Sequence, residues 1–223
     1  MTLQETLQKL ESLGTEQNRK TYQRHGAGDL QFGVSFGNLN KLAKTIKRDH
    51  DLALELWDTG NADARSLATL VADPSVMTAK DLDGWVKSLS YHVHADLVAR
   101  HVVAKSPHAR TLMLKWMKSK DDFSSQVGWD VLALHVIDGR MKDSEADAYL
   151  KTIERGIHKA KNRTRHAMNN ALIALGLRNL VFRKKAIATA RRVGKVEVDH
   201  GATNCETPDA EEYILRAARR KKR

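Results

Sequence analysis

A chain of 223 residues that is 41% hydrophobic but only 5% aromatic can build one good-sized domain packed mainly with Leu, Ala, Val and Ile. No apolar run reaches the roughly 18–20 residues that span a bilayer, the opening MTLQETLQKLESLG lacks the basic and apolar regions of a secretory signal, and the lone Cys205 excludes an internal disulfide, so a cytoplasmic protein without membrane contact is expected. The net charge of +11 is unevenly placed: residues 151–223 hold 19 Lys and Arg against 7 Asp and Glu, whereas residues 1–150 hold 19 against 20, which makes a polyanion the expected partner, nucleic acid ahead of anionic lipid.

The apolar period is helical along nearly the whole chain. Gly33 and Gly37 are read as setting a turn before a helix at Asn38, whose stripe is Leu39, Leu42, Ala43 and Ile46. Asp73-Pro74, Ser106-Pro107 and Thr207-Pro208 each pair a capping residue with a proline. Each pair is therefore read as a helix start, with the proline at the first helical position. Val127, Val131 and Leu134 form a later stripe, followed by Tyr149, Leu150, Ile153 and Ile157, then by Ala167, Met168, Ala171, Leu172 and Leu175. Trp57, Trp85, Trp116 and Trp129 fall within such stripes and read as core, with stacking on a base as the alternative. One short strand candidate spans Val193 to Val198, leading into a turn-rich stretch from Asp199 to Asn204. About a dozen helices of about 8–16 residues with short links predict an all-α fold. The expected architecture is one domain over residues 1–223, a superhelical solenoid of antiparallel helix pairs like HEAT or ARM repeats. No clear repeat of about 40 residues stands out, so an irregular helical bundle stays open. Residues 217–223 read as a basic tail, with disorder allowed for.

Motifs for chemistry are few. There is no phosphate-binding P-loop, no dinucleotide fingerprint and no nucleophile elbow. Tyr91-His-Val-His-Ala-Asp-Leu97 contains H-x-H-x-D, but on a helix only His92 and Asp96 share a face, so no metal is expected there. His200 and Cys205 are too few ligands for a metal and read as part of a turn. Asp96 reads either as a structural ion-pair partner or as a carboxylate that stabilises positive charge or positions a water. The strongest constellation is cationic: Lys159, Lys161, Arg163 and Arg165, then Arg178, Arg183, Lys184 and Lys185, then Arg191, Arg192 and Lys195. Recurring on the polar sides and ends of successive helices, these side chains are suited to track phosphates without reading bases.

Dispersed residues also carry a resemblance. They are Tyr22 with His25-Gly26, Gly33-Val34, Leu39 with Leu42-Ala43-Lys44, Leu56-Trp57, Ala64-Arg65 with Leu67-Ala68, Leu82-Asp83 with Trp85-Val86, Ala95-Asp96, Trp116 with Ser119, and Ala171-Leu172 with Gly176. Their order and spacing resemble the bacterial DNA alkylation repair family of HEAT-like-repeat glycosylases. The resemblance implies a curved solenoid cradling duplex DNA on a basic concave side, acting as a monomer and associated with the nucleoid when bound. It also implies hydrolysis of the N-glycosidic bond of cationic N3- or N7-alkylated purines, with no metal and no cofactor. Asp96 falls on the family's catalytic aspartate, and His92 stands four residues earlier where a tryptophan is expected. Gln126 falls on the position of a backbone-contacting arginine and Asn170 on that of a second tryptophan. Asn lacks the π-face that stabilises a cation, and Gln lacks the guanidinium charge. Three outcomes follow: a glycosylase of different preference, a weak one, or a non-catalytic binder of damaged, branched or bent DNA. A helical scaffold for an acidic protein partner is a more distant alternative.

Overall fold

Helix starts in this chain are written in its short polar side chains. In the computed structural model, which describes residues 1–220, an oxygen of Thr2, Thr15, Ser35, Asp49, Asn61, Thr78, Asp121 or Asn179 accepts a backbone N–H from the first turn of the helix that follows. Thr2 and Thr78 add the reciprocal bond from Glu5 and Asp81 that completes a capping box. Each cap contributes about 1 kcal/mol and fixes where the chain turns into its next helix.

The chain divides into two compact units, each with its own core. The first comprises Met1–His108 with His200–Asn204. It holds α1 (Leu3–Leu13), α2 (Glu16–Arg24), α3 (Phe36–Ile46), α4 (His50–Asp58), α5 (Ala62–Val71), α6 (Ala79–Lys87) and α7 (His92–Leu97). Leu10, Leu39, Leu56, Leu67 and Leu82 are fully buried in it. Trp57 and Trp85 lie face to face with ring centroids 4.1 Å apart. The link between α2 and α3 is fixed by Asp63, 3% exposed. Its carboxylate accepts the N–H groups of Phe32 at 2.6 Å, Gly33 at 3.0 Å and Val34 at 2.9 Å. Gly33 is required there, because at φ 80° a side chain would also collide with the backbone of Thr15 and Arg19.

The second unit runs from Ala109 to Asp199 and resumes at Cys205. It holds α8 (Ala109–Trp116), α9 (Asp122–Ile137), α10 (Ala146–Gly156), α11 (Asn162–Arg178), α12 (Leu180–Val193) and α13 (Ala210–Arg220). Met113, Leu132, Ile153, Leu172 and Leu175 are fully buried in it. Helix α11 is its central element and packs against α9, α12 and α13. Among the described residues no strand forms; an isolated antiparallel bridge pairs Gly14 with Val34.

Several local expectations are corrected. Asp73-Pro74 opens a turn rather than a helix: Asp73 accepts the Ser75 N–H at 2.9 Å and its hydroxyl at 2.6 Å, and α6 waits for its cap at Thr78. The Ser106 hydroxyl donates back to the Val103 carbonyl, and α8 begins two residues beyond Pro107. After Thr207-Pro208, it is Asp209 that accepts the Glu212 N–H and starts α13. Asp73 and Ser106 engage their side chains with local partners, and at α13 Asp209 is the acceptor at the helix start. Gly37 lies inside the first turn of α3, which Ser35 caps. The strand candidate after Val193 is extended chain outside any ladder. Residues 217–220 of the basic tail are helical, and 221–223 lie outside the described residues.

Candidate nucleic-acid interface

The string His92-Val-His-Ala-Asp96 is helical, and burial separates its three polar residues. His94 is 3% exposed, and its Nε2–H donates to the Ala62 carbonyl at 2.9 Å. Burial pushes its pKa down to about 4, so at neutral pH it is an uncharged core residue beside Tyr91 and Trp57. His92 is half-buried, with its ring 6.3 Å from that of His25 and edge-on to Tyr91 at 5.3 Å. Asp96 is exposed. Beyond Leu97 the helix widens into a π turn, Val98–Val102, and tightens into a 3-10 turn, Val103–Lys105. Such turns recur at functional sites.

Many of the basic side chains expected on the DNA-facing surface are engaged inside the second unit. Arg178 donates to the carbonyls of Val136 and Met141 at 3.2 Å each and pairs with Asp143 at 2.6 Å, so it closes the end of α9. Arg165 donates to the carbonyls of Glu197 and Ala160, holding the extended segment after α12 in place. Lys185 pairs with Asp147, Arg191 with Glu211, Arg192 with Glu154 and Lys195 with Glu197. Hydrogen bonds from Arg192 and Arg191 hold Glu154 and Glu211 below the usual carboxylate range. A phosphate approaching these arginines meets an anion already in place. Lys159, Lys161 and Lys184 are exposed and without an ion-pair partner among the described residues, and Arg163 and Arg183 are half-buried.

Gln126 is 2% exposed within α9. Its side chain therefore lies beneath the surface of the protein. Asn170 is half-buried on α11, next to Asn169, whose side chain donates to the Pro208 carbonyl at 2.9 Å. Asp96 and His92 stand in the first unit, whereas Gln126, Asn170 and the basic constellation stand in the second. All four tryptophans are core: Trp57 is 3% exposed, Trp85 5%, Trp116 2% and Trp129 2%. Trp57 donates its indole N–H to Ser88 at 3.1 Å and carries the Arg65 guanidinium 5.0 Å above its ring. One group of cations is cancelled by acids in the sum over residues 1–150. Lys44, Lys47, Arg48 and Lys105 of the first unit line a single cavity.

Comparison with known proteins places the chain in a family. The family described as DNA alkylation repair enzyme matches residues 6–214. Lin0241 from Listeria innocua serovar 6a is 30% identical over 95% of each chain. Lmo0209 from Listeria monocytogenes serovar 1/2a is 28% identical over 96% of each chain. A solved structure is similar over 99% of this chain and 95% of its own, with a TM-score of 0.91 and 32% identity. That structure is described as belonging to a new family of proteins related to the HEAT-like repeat DNA glycosylases with affinity for branched DNA structures. The all-α HEAT-like architecture expected from the helical period is thereby established.

Proposed function

The chain belongs to the DNA alkylation repair enzyme family, and from that premise we propose that it is a DNA-structure binder, recognising branched or distorted duplex, rather than a base-excising enzyme. One observation carries this choice: the carboxylate at the family's catalytic position, Asp96, is exposed, while the indoles of its own unit, Trp57 and Trp85, are stacked on each other in the core. Hydrolysing the bond to a cationic purine passes through an oxocarbenium-like sugar. Stabilising that charge calls for a preorganised carboxylate in a water-poor setting and for aromatic faces. Binding a branch point calls for neither. It needs cations that meet phosphates, and the exposed Lys159, Lys161 and Lys184 are the candidates for that role. The affinity of the similar solved structure for branched DNA supports the same ligand class.

The glycosylase reading keeps one specific argument. Asp96 is present at the matching position, and the His25–His92 pair in the same unit supplies two imidazole rings at 6.3 Å. Two measurements separate the readings. Mobility shifts compare a four-way junction with linear duplex of equal length, and a release assay follows 7-methylguanine and 3-methyladenine from methylated duplex for wild type and Asp96→Asn. Tighter junction binding without base release supports the binder. Release that disappears in Asp96→Asn overturns it in favour of the enzyme, and equal affinity for junction and linear duplex removes the branch preference.

A further inference from the structure

The near-neutral sum over residues 1–150 conceals a local concentration of positive charge. Lys44, Lys47 and Arg48, at and just beyond the end of α3, line a cavity of about 350 Å³ together with Lys105 and His101 from the turns that follow α7. Asn40, one turn earlier on α3, adds an amide, and no lining residue carries a carboxylate. The volume lies in the range of small-ligand pockets. Arg48 is partly compensated by Asp73 at 3.5 Å. Lys44, Lys47 and Lys105 have no ion-pair partner among the described residues. His101 is held neutral, its pKa lowered to about 4 by burial and by Lys105 and Arg100, and so offers a hydrogen-bonding nitrogen rather than charge.

The backbone at Lys47 points the same way. It closes α3 at φ 66°, ψ −145°, with its N–H on the Ala43 carbonyl at 2.8 Å. Gly194 closes α12 in nearly the same conformation, φ 70°, ψ −155°, with its N–H on the Ala190 carbonyl at 2.8 Å. That region belongs to glycine, and a lysine held there is strained. Glycine would end α3 without strain, but it would remove an ammonium from the wall of the cavity.

We propose that this cavity is a phosphate-binding site, in which Lys44, Lys47, Arg48 and Lys105 hold the oxygens of a phosphate or pyrophosphate group. The group comes either from a DNA strand or from a free phosphate compound. The DNA source rests on the DNA-binding reading above; the site itself does not.

Calorimetry of the full chain with inorganic pyrophosphate tests the site. Wild type is expected to bind saturably, about one per chain, and the K44Q/K105Q double variant to bind at least tenfold more weakly. K47G is expected to lose affinity several-fold while its melting temperature rises, a combination that a purely structural lysine does not produce. K9Q/K80Q, exposed lysines outside the cavity, serves as the control. No saturable binding by wild type, or equal binding by wild type and K44Q/K105Q, overturns the proposal. A salt titration of junction binding then assigns the source. A slope of log K against log salt that is shallower by about 1 or more in K44Q/K105Q places a DNA phosphate in the cavity. An unchanged slope alongside lost pyrophosphate binding supports the site with a free phosphate compound as its ligand. If wild type fails to bind DNA at all, the preceding reading falls while the pyrophosphate result still decides this one.

Discussion

The carboxylate of Asp122 accepts both the backbone N–H and the hydroxyl of Thr164, each at 2.8 Å. It also accepts the Arg163 N–H at 3.0 Å. Lys161, at the start of α11, makes no side-chain cap, so the cap of α11 is lent by the first residue of α9. Local helix formation and tertiary packing are thereby the same interaction. Asp122→Ala leaves the Arg163 and Thr164 N–H groups without their acceptor and the Thr164 hydroxyl with only the Asp122 main-chain carbonyl at 3.3 Å, and is expected to cost about 2–3 kcal/mol. Asp121→Ala removes only the cap of α9 itself and is expected to cost about 1 kcal/mol. Urea unfolding midpoints compare the two, and equal losses would remove the cross-helix role assigned to Asp122.

Close approach of α9 to the end of α8 rests on Gly128. A Cβ there would sit 2.5 Å from the Met117 nitrogen and 2.9 Å from the Trp116 carbonyl carbon, both backbone atoms that cannot swing away. Gly128→Ala is expected to destabilise by about 1–3 kcal/mol through overpacking. At Gly176 the obstacles are side-chain rather than backbone atoms, Cδ1 and Cγ1 of Ile214 and Cβ of Ala186, so Gly176→Ala is expected to cost less. Thermal melts of the two variants give the ranking, and the reverse order would contradict it.

The strained cap of α3 makes a reciprocal prediction. Lys47→Gly is expected to stabilise the fold by about 1 kcal/mol, whereas Gly194→Ala, at the matching position of α12, is expected to lose about the same. Differential scanning calorimetry of both proteins tests the pair. A destabilised Lys47→Gly variant would show that the side chain, not the backbone, dominates at that position.

Acid sensitivity follows from His94. In the unfolded chain it protonates near pH 6.5; in the folded chain burial keeps it neutral down to about pH 4. Between those values the unfolded state binds the extra proton. Stability is therefore complete above pH 6.5 and declines as pH falls towards 4, by at most about 3 kcal/mol from this residue. His101 shifts in the same direction for the same first cause, burial, but is more open to solvent and contributes less. Denaturant midpoints at several pH values should show the decline in wild type and a shallower one in His94→Gln. An unchanged pH slope in that variant would refute the assignment.

Helix content was legible because apolar spacing depends only on neighbours along the chain, and the stripes through Leu39 and Leu172 are both buried helix faces. Starts marked by proline were misread because Asp73 and Ser106 had nearer hydrogen-bonding partners than the next helix. The basic third was visible as a sum. Its internal pairing was not, because the carboxylates facing Arg178, Lys185 and Arg192 lie 35 to 38 residues away in sequence. The cavity of Lys44 and Lys105 was hidden for the opposite reason. Its cations are separated along the chain, and nearby acids cancel them in any count while standing outside the cavity wall. Burial of Gln126 beneath its helix surface depends on packing that single-residue correspondence does not carry.

The π turn at Val98–Val102 holds one residue more than an α turn would. Deleting a single residue there, Ala99 for example, would let the helix close as an ordinary α turn while the residues on either side keep their directions. Lys105 would then stay on the wall it shares with Lys44. A regular helix such as α9 or α11 has no such slack, because each residue advances the chain by about 100° of rotation. A change of length by one, which would turn the buried face of those helices outward, is therefore a change this segment can absorb.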